Sequence, residues 1–238
     1  LGAKHPSSII SLRCIAQLYR DCDEFLQAKK AISICYKATL QLFGSAHPYT
    51  IADLGRLAAV ASDLGDYEDS ELLFIQAIKL TRMQDTNPDG RCIALILSEY
   101  ADLLQKTERI KEAVQLHRDV LRIHERVCGD IHPDTIVSLS RYTDCLMLNR
   151  SFDEAEGCLR KLLDWHCERK EHFWANRNRF DLSGVLYELG RAHAALEILE
   201  QLRECMPRVN EPDDDDRELI SAADDLYRLI KEGLPEKA

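Results

Sequence analysis

The sequence predicts an all-α chain built from repeated helical hairpins, and three observations carry that prediction. The stretch Gly44–Ala77 (GSAHPYTIADLGRLAAVASDLGDYEDSELLFIQA) holds one whole hairpin. Ile51, Leu54, Leu57 and Ala58 recur at helical spacing, Gly65-Asp66 interrupts them, and a second stripe runs from Tyr67 through Ser70, Leu73, Phe74 and Ala77. The loop position of Gly65 recurs along the chain as Asp23, Gly65, Glu108, Arg150 and Gly190, at spacings of 42, 43, 42 and 40 residues. The small residue of the second helix keeps the same register, as Ala28, Ser70, Ala113, Ala155 and Ala195. A period held this long is a repeat architecture, in which each hairpin buries its apolar face against its neighbours.

The elements follow in order. The first repeat, 1–43, has helices at about Ser7–Arg20 and Glu24–Phe43. The second, 44–86, has Pro48–Leu64 and Tyr67–Met83, and Pro48 suits a first helical turn because its missing N–H would have no partner there. A turn at Asn87-Pro88-Asp89-Gly90 opens the third, 87–128, with Arg91–Lys106 and Ile110–Val127. The fourth, 129–171, has Pro133–Leu148 and Phe152–Lys170. The fifth, 172–206, is less regular: about Trp174–Leu189 starts without a His-Pro, and Ala192–Met206 is short, as terminal repeats often are. Residues 207–216 read as an acidic linker ending in four aspartates, of which Asp216 is expected to cap a last helix over 217–232. Leu219, Ile220, Ala223, Leu226, Tyr227 and Ile230 give that helix one apolar face, suited to covering the edge of the fifth repeat; a detachable regulatory helix is the alternative. Residues 233–238 read as a frayed tail.

The order of residues in each unit resembles a tetratricopeptide repeat (TPR), whose usual period is about 34 residues. Here the period is longer, and His-Pro recurs at His5-Pro6, His47-Pro48 and His132-Pro133, with Asn87-Pro88 in the third place. Leu1-Gly2-Ala3-Lys4-His5-Pro6 and Cys128-Gly129-Asp130-Ile131-His132-Pro133 are similar to the L-G-x-x-H-P element that opens each 42-residue unit of the kinesin light chain variety. The resemblance covers Leu1 to about Met206 and is specific for the repeat type. It implies a right-handed superhelical solenoid of TPR-like hairpins with a C-terminal capping helix. The implied role is non-catalytic: a scaffold that binds a peptide or helix of a partner protein in its concave groove. The same variety occurs in sensor regions attached to nucleotide-binding switches, so a regulatory region acting in cis on a larger enzyme or switch is the alternative.

In a solenoid of helix pairs the first helix of each pair lines the concave surface. The TPR pattern places there Arg13, Gln17 and Arg20; Ala52, Gly55, Arg56 and Ala59; Leu95, Ser98, Glu99 and Asp102; and Val137, Ser140, Arg141 and Asp144. Ala52, Gly55, Ala59, Leu95 and Val137 form a small, apolar floor on which a helix or extended peptide can lie. Arg13, Arg20 and Arg56 place basic charge near the N-terminal end, which suits a partner with an acidic motif, while Glu99, Asp102 and Asp144 make the middle acidic. The clamp that holds chaperone C-termini in related TPR domains falls on Arg13, Gln17, Arg56, Leu95 and Glu99, and the last two offer a carboxylate nothing. Kinesin light chains carry backbone-gripping asparagines at Arg13-Cys14, Gly55-Arg56, Ser98-Glu99 and Ser140-Arg141, where this chain has none.

Composition narrows the classes. The net charge is −10, from 31 basic and 41 acidic residues, which disfavours nucleic acid as a partner. No apolar run approaches the ~18 residues of a membrane helix, so no membrane insertion is expected. Most of the nine cysteines fall on helix interiors, among them Cys35, Cys145 and Cys158, which reads as reduced thiols in a cytoplasmic protein. Cys158, His166, Cys167 and His172 do not match zinc spacings, and neither a phosphate-binding glycine loop nor a nucleophile elbow occurs; no metal, cofactor or catalytic residue is expected. Trp165 and Trp174 flank the junction of the last two repeats. Leu1 opens in mid-motif, so a larger protein is expected around the segment. Nothing in the repeats sets an oligomeric state.

Overall fold

A computed structural model describes residues 6–83, 90–206 and 214–233, which form eleven helices with no strand among them. The readings of His5, of the Asn87-Pro88-Asp89 turn, of most of the acidic linker and of residues 234–238 lie outside the described residues. The helices are α1 (Pro6–Asp21), α2 (Phe25–Phe43), α3 (Pro48–Asp63), α4 (Tyr67–Arg82), α5 (Arg91–Lys106), α6 (Ile110–Cys128), α7 (Pro133–Leu148), α8 (Phe152–Arg169), α9 (His172–Glu188), α10 (Ala192–Cys205) and α11 (Asp214–Gly233). They divide between two compact units, Leu1–Asp130 and Ile131–Ala238.

The N-terminal unit stacks three hairpins, α1/α2, α3/α4 and α5/α6, with α3 also against α2 and α5. Helices approach closely where the side chain is smallest: Ala28, Ser70 and Ala113 are all fully buried. Ser70 avoids the penalty of a lone buried hydroxyl by donating to the Ala58 carbonyl at 2.7 Å. Each hairpin turns on the loop residue that sets the register. Asp23, Gly65 and Glu108 adopt left-handed φ values of 59°, 82° and 60°. The next amide then reaches back five residues, Glu24 to Tyr19, Asp66 to Ala61 and Arg109 to Leu104 at 2.8–2.9 Å, which closes a Schellman motif. Glycine takes that conformation without strain; Asp23 and Glu108 bear a cost of about 1 kcal/mol each. The recurring histidine is a helix cap: His47 Nδ1 accepts the Tyr49 amide at 3.2 Å and Pro48 opens α3.

The C-terminal unit repeats the scheme with α7/α8 and α9/α10. Arg150 and Gly190 are the left-handed turn residues, His132 Nδ1 caps α7 through the Asp134 amide at 3.1 Å, and Ala155 and Ala195 are fully buried. The link from α8 to α9 reuses the hairpin turn: Lys170 is left-handed at 59° and the Glu171 amide bonds His166 O at 3.0 Å. That tight turn starts α9 at His172, two residues before the expected Trp174, with no His-Pro needed. Helix α11 packs on α9 and α10, burying Leu219, Ala223 and Ile230. Arg203 of α10 holds it at the rim, with Nε 3.0 Å from Asp224 Oδ1 and the guanidinium 4.0 Å above the Tyr227 ring. The helix begins at Asp214 rather than after an Asp216 cap. Acids are favoured throughout a first turn by the unpaired N–H groups there, so the aspartates from Asp214 on join the helix.

Candidate functional site

In the N-terminal unit the first helices are α1, α3 and α5, and their facing side chains form an ion-pair lattice. Asp53 of α3 is completely buried. Arg13 of α1 clasps it with two bonds, Nε to Oδ1 at 2.6 Å and Nη2 to Oδ2 at 2.7 Å. Thr39 of α2 donates to Asp53 Oδ2 at 3.1 Å and Arg56 Nη1 lies 3.4 Å from Oδ1. Next along the face, Arg20 bonds Asp63 of α3 at 2.8 Å and Glu99 of α5 at 3.3 Å, and Lys106 reaches Asp63 from the other side at 2.8 Å. Burial disfavours the Arg13 and Arg20 charges, yet facing carboxylates hold both guanidiniums protonated above their ordinary range.

The expected basic gradient is therefore neutralised inside the chain. Arg13, Arg20 and Arg56 each face a carboxylate, and their principal partners are structural.

The other predicted residues separate by packing. Gly55 lies under α5: a Cβ there would sit 2.9 Å from Ile96 Cγ1, so the glycine serves helix approach. Ala59 is buried, while Ala52 and Ser98 are half-buried. Gln17 is exposed and bonds Asp21 of its own helix at 2.9 Å. Leu95 stays 41% exposed, apolar surface that the core does not use. Arg20, Ala59, Glu99 and Asp102 come together in an open cleft of about 340 Å³.

In the C-terminal unit Val137 is 57% exposed and Arg141 is exposed. Ser140 and Asp144 line a second open cleft of about 640 Å³, with α9 residues Trp174, Asn178 and Asp181 and the first turns of α11 around it. Asp144 is raised above the usual carboxyl range by partial removal from water and by the nearby Asp181 carboxylate. Asp181 is raised by burial, against the opposing effect of Arg177, whose Nε is 3.3 Å away. Asn178 and Asp181 were not singled out by sequence. The repeat itself carries the signal for Asn178, which stands twelve residues before loop residue Gly190, as Asp53 stands before Gly65.

Residues 94–134 match the family model described as tetratricopeptide repeat. Over 87% of this chain and 99% of the other, the fold is similar to the nearly identical TPR-like repeats of a kinesin light chain candidate from Podosopora anserina, with a TM-score of 0.72 at 21% identity. Residues 94–134 are thus recognised as a tetratricopeptide repeat, and the fold as a whole is that of TPR-like arrays.

The TPR array is also similar to YrrB, described as a TPR protein with an unusual peptide-binding site, with a TM-score of 0.56 at 14% identity over 88% of this chain and 90% of that one. A curated relative, the secreted RxLR effector protein RXLR-C07 of Plasmopara halstedii, is 31% identical over 67 residues, 28% of this chain. The match spans only 21% of that relative's length. TPR arrays commonly serve as protein-interaction scaffolds. No helix among the described residues is long and apolar enough to cross a membrane.

Proposed function

We propose that this TPR array is a non-catalytic scaffold that binds an extended peptide or a helix of a partner protein along its first-helix faces. One observation carries the reading: first-helix residues that the core does not consume line open clefts in each unit. They are Glu99 and Asp102 in one, Ser140 and Asp144 in the other. Exposed Leu95 and Val137 add apolar contact surface on those helices, which suits a partner segment stripped of water. The peptide-binding site described for YrrB supports the assignment by fold. A cytoplasmic setting is supported by nine cysteines of which none is in a disulfide, with Cys35 and Cys145 sealed in the core. With Arg13, Arg20 and Arg56 held by carboxylates, the argument for an acidic partner motif loses its basis.

The test is capture of partners from cell extract on the purified chain, beside Leu95→Glu and Val137→Glu, with hydrogen exchange mapping the protected helices. Retention should fall at least about tenfold in each variant at unchanged helicity, since a charge in an apolar contact is left unpaired. Protection should appear on α3, α5 and α7. Partners retained equally by both variants, with protection confined to second helices, would refute the proposal.

A further inference from the structure

The cleft of the C-terminal unit contains a buried donor with no acceptor. Asn178 is only 7% exposed, lines the cleft, and its Nδ2 has no hydrogen-bond partner among the described residues. Buried polar groups in folded proteins are ordinarily paired, and one that is not needs a reason. The equivalent place in the N-terminal unit is Asp53, which the preceding first helix satisfies through Arg13. The residue in register with Arg13 here is Ser140, ten residues before its loop residue in both cases. Arginine could only donate, whereas Asn178 Nδ2 needs an acceptor, and Ser140 does not supply one. What an internal side chain supplies in one unit is left open in the other.

The chemistry around Asn178 selects the occupant. Asp144, Asp181, Asp215 and Glu218 face the cleft, and among the described lining residues Arg177 is the one basic group, already paired with Asp181. Trp174 and Phe173, 54% and 39% exposed, supply aromatic faces beside these acids. Carboxylates next to an aromatic face suit an alkylammonium or guanidinium group. The repulsion between Asp144 and Asp181 is the strain such a cation would relieve. A free polyamine would answer the acids but has no carbonyl for the Asn178 amide, whereas a polypeptide has both.

We propose that this cleft binds a lysine or arginine side chain of an extended partner segment, with Asn178 Nδ2 donating to a backbone carbonyl beside it. The inference rests on the scaffold reading above and adds the chemistry of the ligand.

Random peptides displayed on phage and selected on the intact chain supply the probe, and the best binder is then synthesised with a fluorophore for anisotropy titration. Selected peptides should share a lysine or arginine. Asp144→Asn should weaken binding about tenfold at low salt, and the difference should shrink as salt screens it. Asn178→Leu should weaken it about fivefold without changing the salt dependence. Replacing the peptide's basic residue by norleucine should abolish the difference between wild type and Asp144→Asn. Thermal melts followed by circular dichroism check that both variants fold. Peptides without a basic residue, or equal affinity for all three chains, overturn the inference. If such peptides are instead lost on Leu95→Glu or Val137→Glu, the scaffold reading survives without it. A chain that selects no peptide overturns both.

Discussion

Arg13→Met tests whether the most conspicuous cation of the groove is structural. Methionine keeps the apolar stem and deletes the guanidinium. Asp53 has no exposed surface, so the substitution strands a carboxylate in the interior with Thr39 at 3.1 Å and Arg56 at 3.4 Å as its remaining partners. Breaking a buried pair from one side costs about 3–5 kcal/mol. Arg56 is 37% exposed and near enough to swing towards Asp53, which returns about 1 kcal/mol as a charged hydrogen bond. The expected loss is therefore about 2–4 kcal/mol, read as a lower urea midpoint at constant slope. The double variant Arg13→Met with Asp53→Leu removes both charges and should recover at least half of that loss, because the penalty lies in the unpaired ion rather than in the missing pair. A loss below about 1 kcal/mol for Arg13→Met, or a double variant as unstable as the single, would refute the reasoning. Loss of a partner at unchanged stability would return Arg13 to the groove, where sequence alone had put it.

Four other outcomes follow from single positions. Gly55→Ala should lower the melting temperature: a Cβ 2.9 Å from Ile96 Cγ1 overpacks a core contact at about 1–3 kcal/mol, against about 1 kcal/mol of gained helix propensity. Glu108→Gly should stabilise the chain by about 0.5 kcal/mol, read as a higher urea midpoint, because Glu108 sits at φ 60° and glycine relieves that strain while adding some unfolded-state entropy. In native alkylation at neutral pH followed by mass spectrometry, exposed Cys14, Cys22, Cys167 and Cys205 should react, while buried Cys35, its thiol pushed up to about 11 by burial, should react only on unfolding. Asp144→Asn should raise the melting temperature near neutral pH. The raised folded pKa means that ionisation opposes folding, so wild-type stability climbs as pH falls through that pKa, and the benefit of the variant should vanish as pH is lowered towards about 4.

The fold was legible because repeats make one inference serve many times. Sliding the Gly65 position along the chain marked Asp23, Glu108, Arg150 and Gly190, and all of them are left-handed turn residues although only Gly190 advertises it. Recurrence of His47 and His132 signalled a turn role, and the structure gives its chemistry: an imidazole nitrogen capping the next helix. The start of α11 was less legible, because four consecutive aspartates look equally like solvated linker and like a helix first turn. The charge pairing on the first helices was not legible. Whether Arg13 faces water or Asp53 depends on a residue 40 positions away, and one-dimensional periodicity is blind to that pairing. Asn178 escaped for a related reason, since a polar residue on a first helix gives no sign of whether its neighbour in the preceding repeat offers the hydrogen-bonding group it needs.

Comparing equivalent positions separates what holds the fold from what the proposed recognition would use. Asp53 and Asn178 both stand twelve residues before their loop residues, and the chain treats that position differently in its two units. Asp53 is met from within by Arg13, with arginine's rigid fork suited to both carboxylate oxygens. Asn178 lines, with Ser140, a cleft of about 640 Å³ edged by carboxylates. The first arrangement uses its hydrogen bonds to fix helix register. The second leaves a donor and a negative field unspent, which costs folding free energy and has a return only when something outside the chain supplies the acceptor and the cation. A repeat array tolerates that cost because each hairpin is stabilised mainly by its own core and its immediate neighbours. The small residues that set those contacts, from Ala28 through Ala195, are fully buried in every hairpin, so Asn178 and Asp144 are relieved of any need to be good for stability.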